Sequence, residues 1–352
     1  MKSLNILLSA ALFFLWGCES PNEVKSADTS GEWLIPSNEI YDGGPGRDGI
    51  PALTNPEFIP LSAANYLRDT DLVIGVQVGN ELRAYPHPIL DWHEIINDDI
   101  GSASIAITYC PLTGSGIGWD RFVGGQKTTF GVSGLLYNSN LLPYDRATDS
   151  EWSQMKLQAV HGRLAGERIK THRVLETTWA TWKAIASTSK VVSANTGYSR
   201  SYGSYPYGDY RTNHSKLIFP VAVEDGRLPR KQRVLGLLIN DRAKAYSITD
   251  FGAGVSLVQD KVADTPIVVA GSQEHNFAVA YERSMDGKIL QFEVLSDELS
   301  SIMKDNLGNL WDIWGHAVEG PNKGATLKPV QGYIAYWFAW AAFWPGSELY
   351  AK

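Results

Sequence analysis

Cys110 stands in "SIAITYCPLTGSGIGWDR" (104–121), where an apolar run meets a Pro-Leu-Thr-Gly-Ser turn. The 352-residue chain has one other cysteine, Cys18, at the end of a hydrophobic leader. A lone thiol can fill a core as a small hydrophobe, bind a soft metal, or attack an electrophile as its thiolate. A strand that runs into a Pro/Gly turn delivers its last side chain to the rim of a sheet, where sites tend to form. His93 is the natural partner, because "DWHEII" groups Asp91, His93 and Glu94 just before the Cys110 strand. An imidazole beside a thiol favours thiolate. Cys110 and His93 are therefore expected to share a partly enclosed pocket. There they would act as ligands of a soft metal, copper above all, or as nucleophile and base with Asp91 or Glu94 orienting the imidazole. Tyr109, Thr113, Tyr137, Asn138 and Arg146 are expected to line it. A third class also stays open, a binding module without chemistry that uses Tyr and Trp surfaces for a glycan or protein. No Cys-x-x-Cys, His-x-x-x-His or Gly-x-Ser-x-Gly run separates these classes.

The elements that position these residues come from an internal repeat. "VIGVQVGNELRAYP" (73–86) matches "VLGLLINDRAKAYS" (234–247), and the Cys110 stretch (104–121) matches "PIVVAGSQEHNFAVAYER" (266–283). Two more pairs follow in the same order, 159–169 with 317–327 and 177–187 with 335–345. The alignment sets Ser272 opposite Cys110 and His275 opposite Thr113. If the halves pack about a pseudo-twofold axis, His275 becomes a third ligand beside Cys110 and His93. Each half should open with a strand hairpin, turning at Gly79-Asn80 or Asn240-Asp241. In the first half a helix over 87–98, a buried strand over 103–110, further strands and a Trp-rich helix near 177–187 should follow. The fold class is α+β, mainly antiparallel β with short helices, built as two tandem copies of one unit.

The expected boundaries are a lipoprotein signal peptide at 1–17, a polar tether at 18–33, one half at 34–194, a cross-over at 195–224 and the second half at 225–352. The leader has a basic start at Lys2, an apolar run too short to span a bilayer, and a Leu-Trp-Gly-Cys ending that resembles a lipobox. Cys18 is thus the expected lipidation site and the membrane partner's anchor. Glu19 after it favours the outer membrane or cell surface. With Cys18 lipidated, Cys110 has no disulfide partner. A net charge of −7 argues against nucleic acid and leaves a small ligand or metal ion as the other expected partner. The Tyr-rich stretch 195–216 either packs its tyrosines on the domain or forms an aromatic ligand loop.

Several long motifs carry a resemblance: "DGIPALTNPEF" (48–58), "AYPHPILDWHEIIND" (84–98), "TYCPLTGS" (108–115), "FGVSGLLYNSNLLPYDR" (130–146), "NTGYSR" (195–200), "RLPRKQRVLGL" (227–237) and "FAWAAFWP" (338–345). Together they resemble the bacterial family called domain of unknown function 3179, over nearly all of the chain after the leader. The resemblance implies no established reaction. It does imply a Cys-Pro-Leu-Cys-Gly run, in which Thr113 here replaces the second Cys. A dithiol role is then closed to this chain unless another residue stands in.

Overall fold

The computed structural model describes residues 32–295 and 299–351. Cys18, the leader and the tether up to residue 31 lie outside the described residues. The tether's last residue, Trp33, is half-buried and stacks on His161 at 4.4 Å.

The described residues are largely antiparallel β with three seven-residue α-helices: α1 (His87–His93), α2 (Trp179–Ile185) and α3 (Trp337–Phe343). One sheet runs in the order 175–178, 72–78, 81–86, 190–192, 58–60. Another runs 332–336, 233–239, 242–247, 348–349. In both, the first three strands are antiparallel and the fourth joins the third in parallel. The expected hairpin turns hold, with positive φ at Gly79, Asn240 and Asp241. Residues 95–100, 103–110 and 115–120 form an antiparallel run, as do 256–262, 265–272 and 277–282.

Helix α1 is shorter than the 87–98 expected. Pro88 suits its first turn, and Glu94 at φ 55 leaves the helical region and ends it. Residues 95–100 then pair with 103–110 as a strand. The apolar positions Ile95 and Ile96 fit a helix face or a strand equally well, and pairing with a neighbour decided it.

Helices α2 and α3 each pack on their sheet through a matched tryptophan and glycine. A Cβ added at Gly75 would fall 2.0 Å from the Trp182 ring, and one at Gly236 would fall 2.1 Å from the Trp340 ring. Each indole N–H donates to a serine, Trp182 to Ser189 and Trp340 to Ser347, both at 3.1 Å. Trp152 and Trp311 are likewise fully buried, and each donates to an aspartate, Asp145 and Asp305.

Candidate functional site

Cys110 ends its strand as expected, and its side chain faces the core. Its side chain is 1% exposed and packs in one cluster with Leu112, Leu141 and Tyr336. The Sγ–H donates to the Ser139 carbonyl at 3.7 Å. Burial, with Glu94 adding to it, pushes the thiol up to about 11. At neutral pH Cys110 is a protonated thiol, and the thiolate expected from an imidazole neighbour does not form.

His93 is engaged elsewhere. Its Nδ1 lies 2.7 Å from the Pro51 carbonyl and its Nε2 lies 2.7 Å from the Tyr202 hydroxyl. A carbonyl only accepts, so Nδ1 carries the proton and Nε2 accepts from Tyr202. Burial lowers the pKa of the ring. His275 is docked on the start of α2, its Nδ1 3.0 Å from the Thr181 hydroxyl. Cys110, His93 and His275 are thus not brought together. Among the described residues no group of three or more His, Cys, Asp or Glu side chains is placed to hold a metal ion.

The other expected lining residues have structural work. Tyr137 packs edge-on against Phe343 at 5.5 Å, and the Asn138 side chain accepts from Ala222 N at 2.7 Å. Arg146 pairs with Asp48 at 2.6 Å and donates to the Phe130 carbonyl. Thr113 joins a buried net: its hydroxyl lies 2.9 Å from Ser115 Oγ and accepts from Asn140, and Gln154 bridges Ser115 to Thr108. The Thr113 carbonyl accepts from Tyr336 N at 2.7 Å, which ties the turn to the second half of the chain. Gly114 lets the Tyr336 ring approach, since an added Cβ would sit 2.8 Å from it. The "CPLTGS" turn is therefore a junction.

The polar cleft lies on the other side of Tyr109, whose ring contacts the His87 ring at 4.2 Å. His87 and Asp91, four residues apart, share one face of α1. His87 Nε2 is 3.2 Å from Glu176 Oε1, off the direction a hydrogen bond requires. Arg233 Nη2 donates to the same Glu176 oxygen at 2.6 Å, and Arg233 Nε donates to Asn276. Arg211, from the cross-over, donates to Asp91 Oδ2 at 2.7 Å and lies 3.6 Å over the Tyr205 ring. A cleft of about 270 Å³ opens here, lined by Arg68, Asp71, His87, Asp91, Arg211 and Asn276 among others.

His87 and Asp91 are 2% and 5% exposed, yet His87 Nε2 and Asp91 Oδ1 have no hydrogen-bond partner; Glu176 Oε2 has none either. Burial pushes the Asp91 carboxyl up against the pull of Arg211 and His87. Burial also opposes ionisation of Glu176, but Arg233 and His87 outweigh it and hold its carboxyl below the ordinary value. The arrangement can accept a donor at Asp91, offer guanidinium N–H groups from Arg211, and move a proton at His87.

Asp91 entered the sequence argument only as a partner for His93. The spacing of His87 and Asp91 on "HPILDWH" was the signal available for this face. Glu176, Arg211 and Arg233 come from distant segments with no motif of their own. The cross-over packs its tyrosines on the domain, one of its two expected roles. Tyr202 bonds to His93 and Tyr205 to the Pro111 carbonyl, while Tyr205 and Arg211 also line the cleft.

The model of the family described as "Protein of unknown function (DUF3179)" matches residues 47–347, so the chain belongs to that family. No curated protein and no solved structure matches it.

Proposed function

We propose that this member of the DUF3179 family binds a small polar ligand in the cleft between α1 and the cross-over. One observation carries the reading: Asp91 Oδ1 is buried without a hydrogen-bond partner, next to a buried His87 whose Nε2 has only the misdirected 3.2 Å contact with Glu176, and both residues line a cleft of about 270 Å³. A buried polar group left unpaired costs about 1–3 kcal/mol, which a fitting ligand offsets. Asp91 Oδ1 needs a donor, and Arg211 keeps N–H groups beyond the one it gives to Asp91. The ligand then presents a hydroxyl or amine next to an acceptor, as hydroxy acids, amino acids and sugars do. His87, backed by Glu176 and Arg233, is placed for acid–base work on that hydroxyl or amine, and this contact favours an enzyme as the second reading. Copper at Cys110 draws no support from a buried, protonated thiol that belongs, among the described residues, to no group of three or more His, Cys, Asp or Glu side chains placed to hold a metal ion.

The test is calorimetry with a panel of 2-hydroxy acids, 2-amino acids and monosaccharides. A binder from the panel should lose at least tenfold in affinity in Asp91→Asn and His87→Ala, with circular dichroism unchanged. Equal affinity in wild type and both variants rejects the cleft.

Two further elements of the reading rest on the sequence. Cys18 carries a lipid that holds the domain at the cell envelope, with the outer membrane or cell surface favoured. The leader pattern supports this, and a Cys18→Ser protein still found in the membrane fraction would rule it out. Residues 34–194 and 225–352 are two copies of one unit joined by 195–224. Matching strand orders and the paired Trp–Gly and Trp–Asp contacts support that view. An experimental structure in which 72–120 fails to superpose on 233–282 would reject it.

A further inference from the structure

A second cleft, of about 270 Å³, lies away from α1, where segments of both halves meet. Lys156 enters it from the turn between strands 151–153 and 158–161, and Arg168 from the segment that follows. Arg242 comes from the start of strand 242–247, just past the Asn240-Asp241 turn. Trp344 and Leu238 supply apolar wall. Among the described residues none of the three cationic side chains has a hydrogen bond or ion pair, and Asp241 is the one carboxylate in the lining. Most other cations of this chain sit on a carboxylate, as Arg83 does on Asp98 and Lys244 on Asp260. The whole chain is acidic at −7, so three uncompensated cations around one cavity stand against the general charge. Lys156 is half-buried, and burial lowers its pKa. A half-buried ammonium without an acceptor is unfavourable until an anion arrives.

We propose that this cleft binds a phosphate group, with Lys156, Arg168 and Arg242 as its ligands. Two guanidinium groups can each offer a fork of donors to phosphate oxygens, and the ammonium adds a point charge. The Trp344 wall suits an organic substituent on that phosphate. A soluble phosphoester and a phospholipid headgroup share this chemistry.

The experiment is calorimetry of the folded protein with inorganic phosphate and with glycerol phosphate, at low salt. Sedimentation with phosphatidylglycerol vesicles, against pure phosphatidylcholine vesicles, runs in parallel. Wild type should bind phosphate in preference to chloride, and binding should weaken as salt rises. Lys156→Ala/Arg242→Ala should bind at least tenfold more weakly. Arg168→Ala, at an exposed residue that cannot disturb the core, should weaken binding several-fold. His87→Ala should bind phosphate as wild type does, which separates this site from the α1 cleft. Binding to phosphatidylglycerol vesicles that the double variant loses assigns a lipid headgroup, and phosphate binding without vesicle binding assigns a soluble ester. Failure of wild type to bind either, or affinity unchanged in both cleft variants, overturns the proposal.

Discussion

Two sheets, one built on strands 72–78 and 81–86 and the other on 233–239 and 242–247, share the order of four strands and differ in the polar residues they carry. In the first half, strand 81–86 runs into α1, which presents His87 and Asp91. In the second half, strand 242–247 runs into a single 3-10 turn, Ile248–Phe251, with Ile248 at the place of His87. Glu176 pairs with Ile74 in one sheet, while Ile334 pairs with Leu235 at the matching position of the other. Arg233 opens strand 233–239 where Leu72 opens strand 72–78. The buried charges of the first half therefore meet apolar residues at equivalent places, except for Arg233, which the second half lends to Glu176. The first of these sheets borders the polar cleft, and the matching positions of the second hold Ile248 and Ile334. A buried charge needs a partner of opposite sign, and assembling the pair from different segments makes the site depend on how they dock.

The largest effects should fall on what the halves share. Trp182→Ala and Trp340→Ala each empty a buried indole site and should lower unfolding free energy by about 3–5 kcal/mol. Urea melts should show similar losses for the two. A loss confined to one would break the equivalence.

A middle-sized effect should belong to the first half alone. Burial, with Asp91 adding to it, pushes the Glu94 carboxyl up to about 8. The folded protein then holds a proton that the unfolded chain gives up near pH 4.5, so the contribution of this group to stability is fully present below that pH. It should fall as pH rises toward 8, by roughly 2–3 kcal/mol between pH 5 and 7. Glu94→Gln removes this limb, and chemical denaturation across that range reads it. An unchanged slope in the variant would mean that Glu94 is ionised in the fold.

The smallest effect distinguishes α2 from α3. The Thr178 hydroxyl caps α2 by accepting from Thr181 N at 3.2 Å, whereas Tyr336 at the start of α3 makes no side-chain cap. Thr178→Ala should cost about 1 kcal/mol. Tyr336→Phe should leave helix capping unchanged, and thermal melts followed at the helix signal compare the two.

The sequence by itself determined much that is local or periodic. Alternating apolar positions and Gly or Asn turns placed the hairpins at 73–86 and 234–247, within a residue of the strands observed, and the strand ending at Cys110. Motifs over most of the chain identified the family. Tertiary structure decided the end of α1, because Ile95 and Ile96 satisfy two periods and only pairing with 103–110 selects one. It also decided the fate of Cys110. A strand terminus reads as a rim in sequence, but Tyr336 from more than two hundred residues away packs on the Gly114 turn, and the thiol lies buried in the same core cluster. Glu176, Arg211 and Arg233 have no local pattern. Ion pairing acts through space over a few ångströms, so which charges meet His87 and Asp91 is settled by how the sheets and cross-over dock, a relation that residue spacing does not encode.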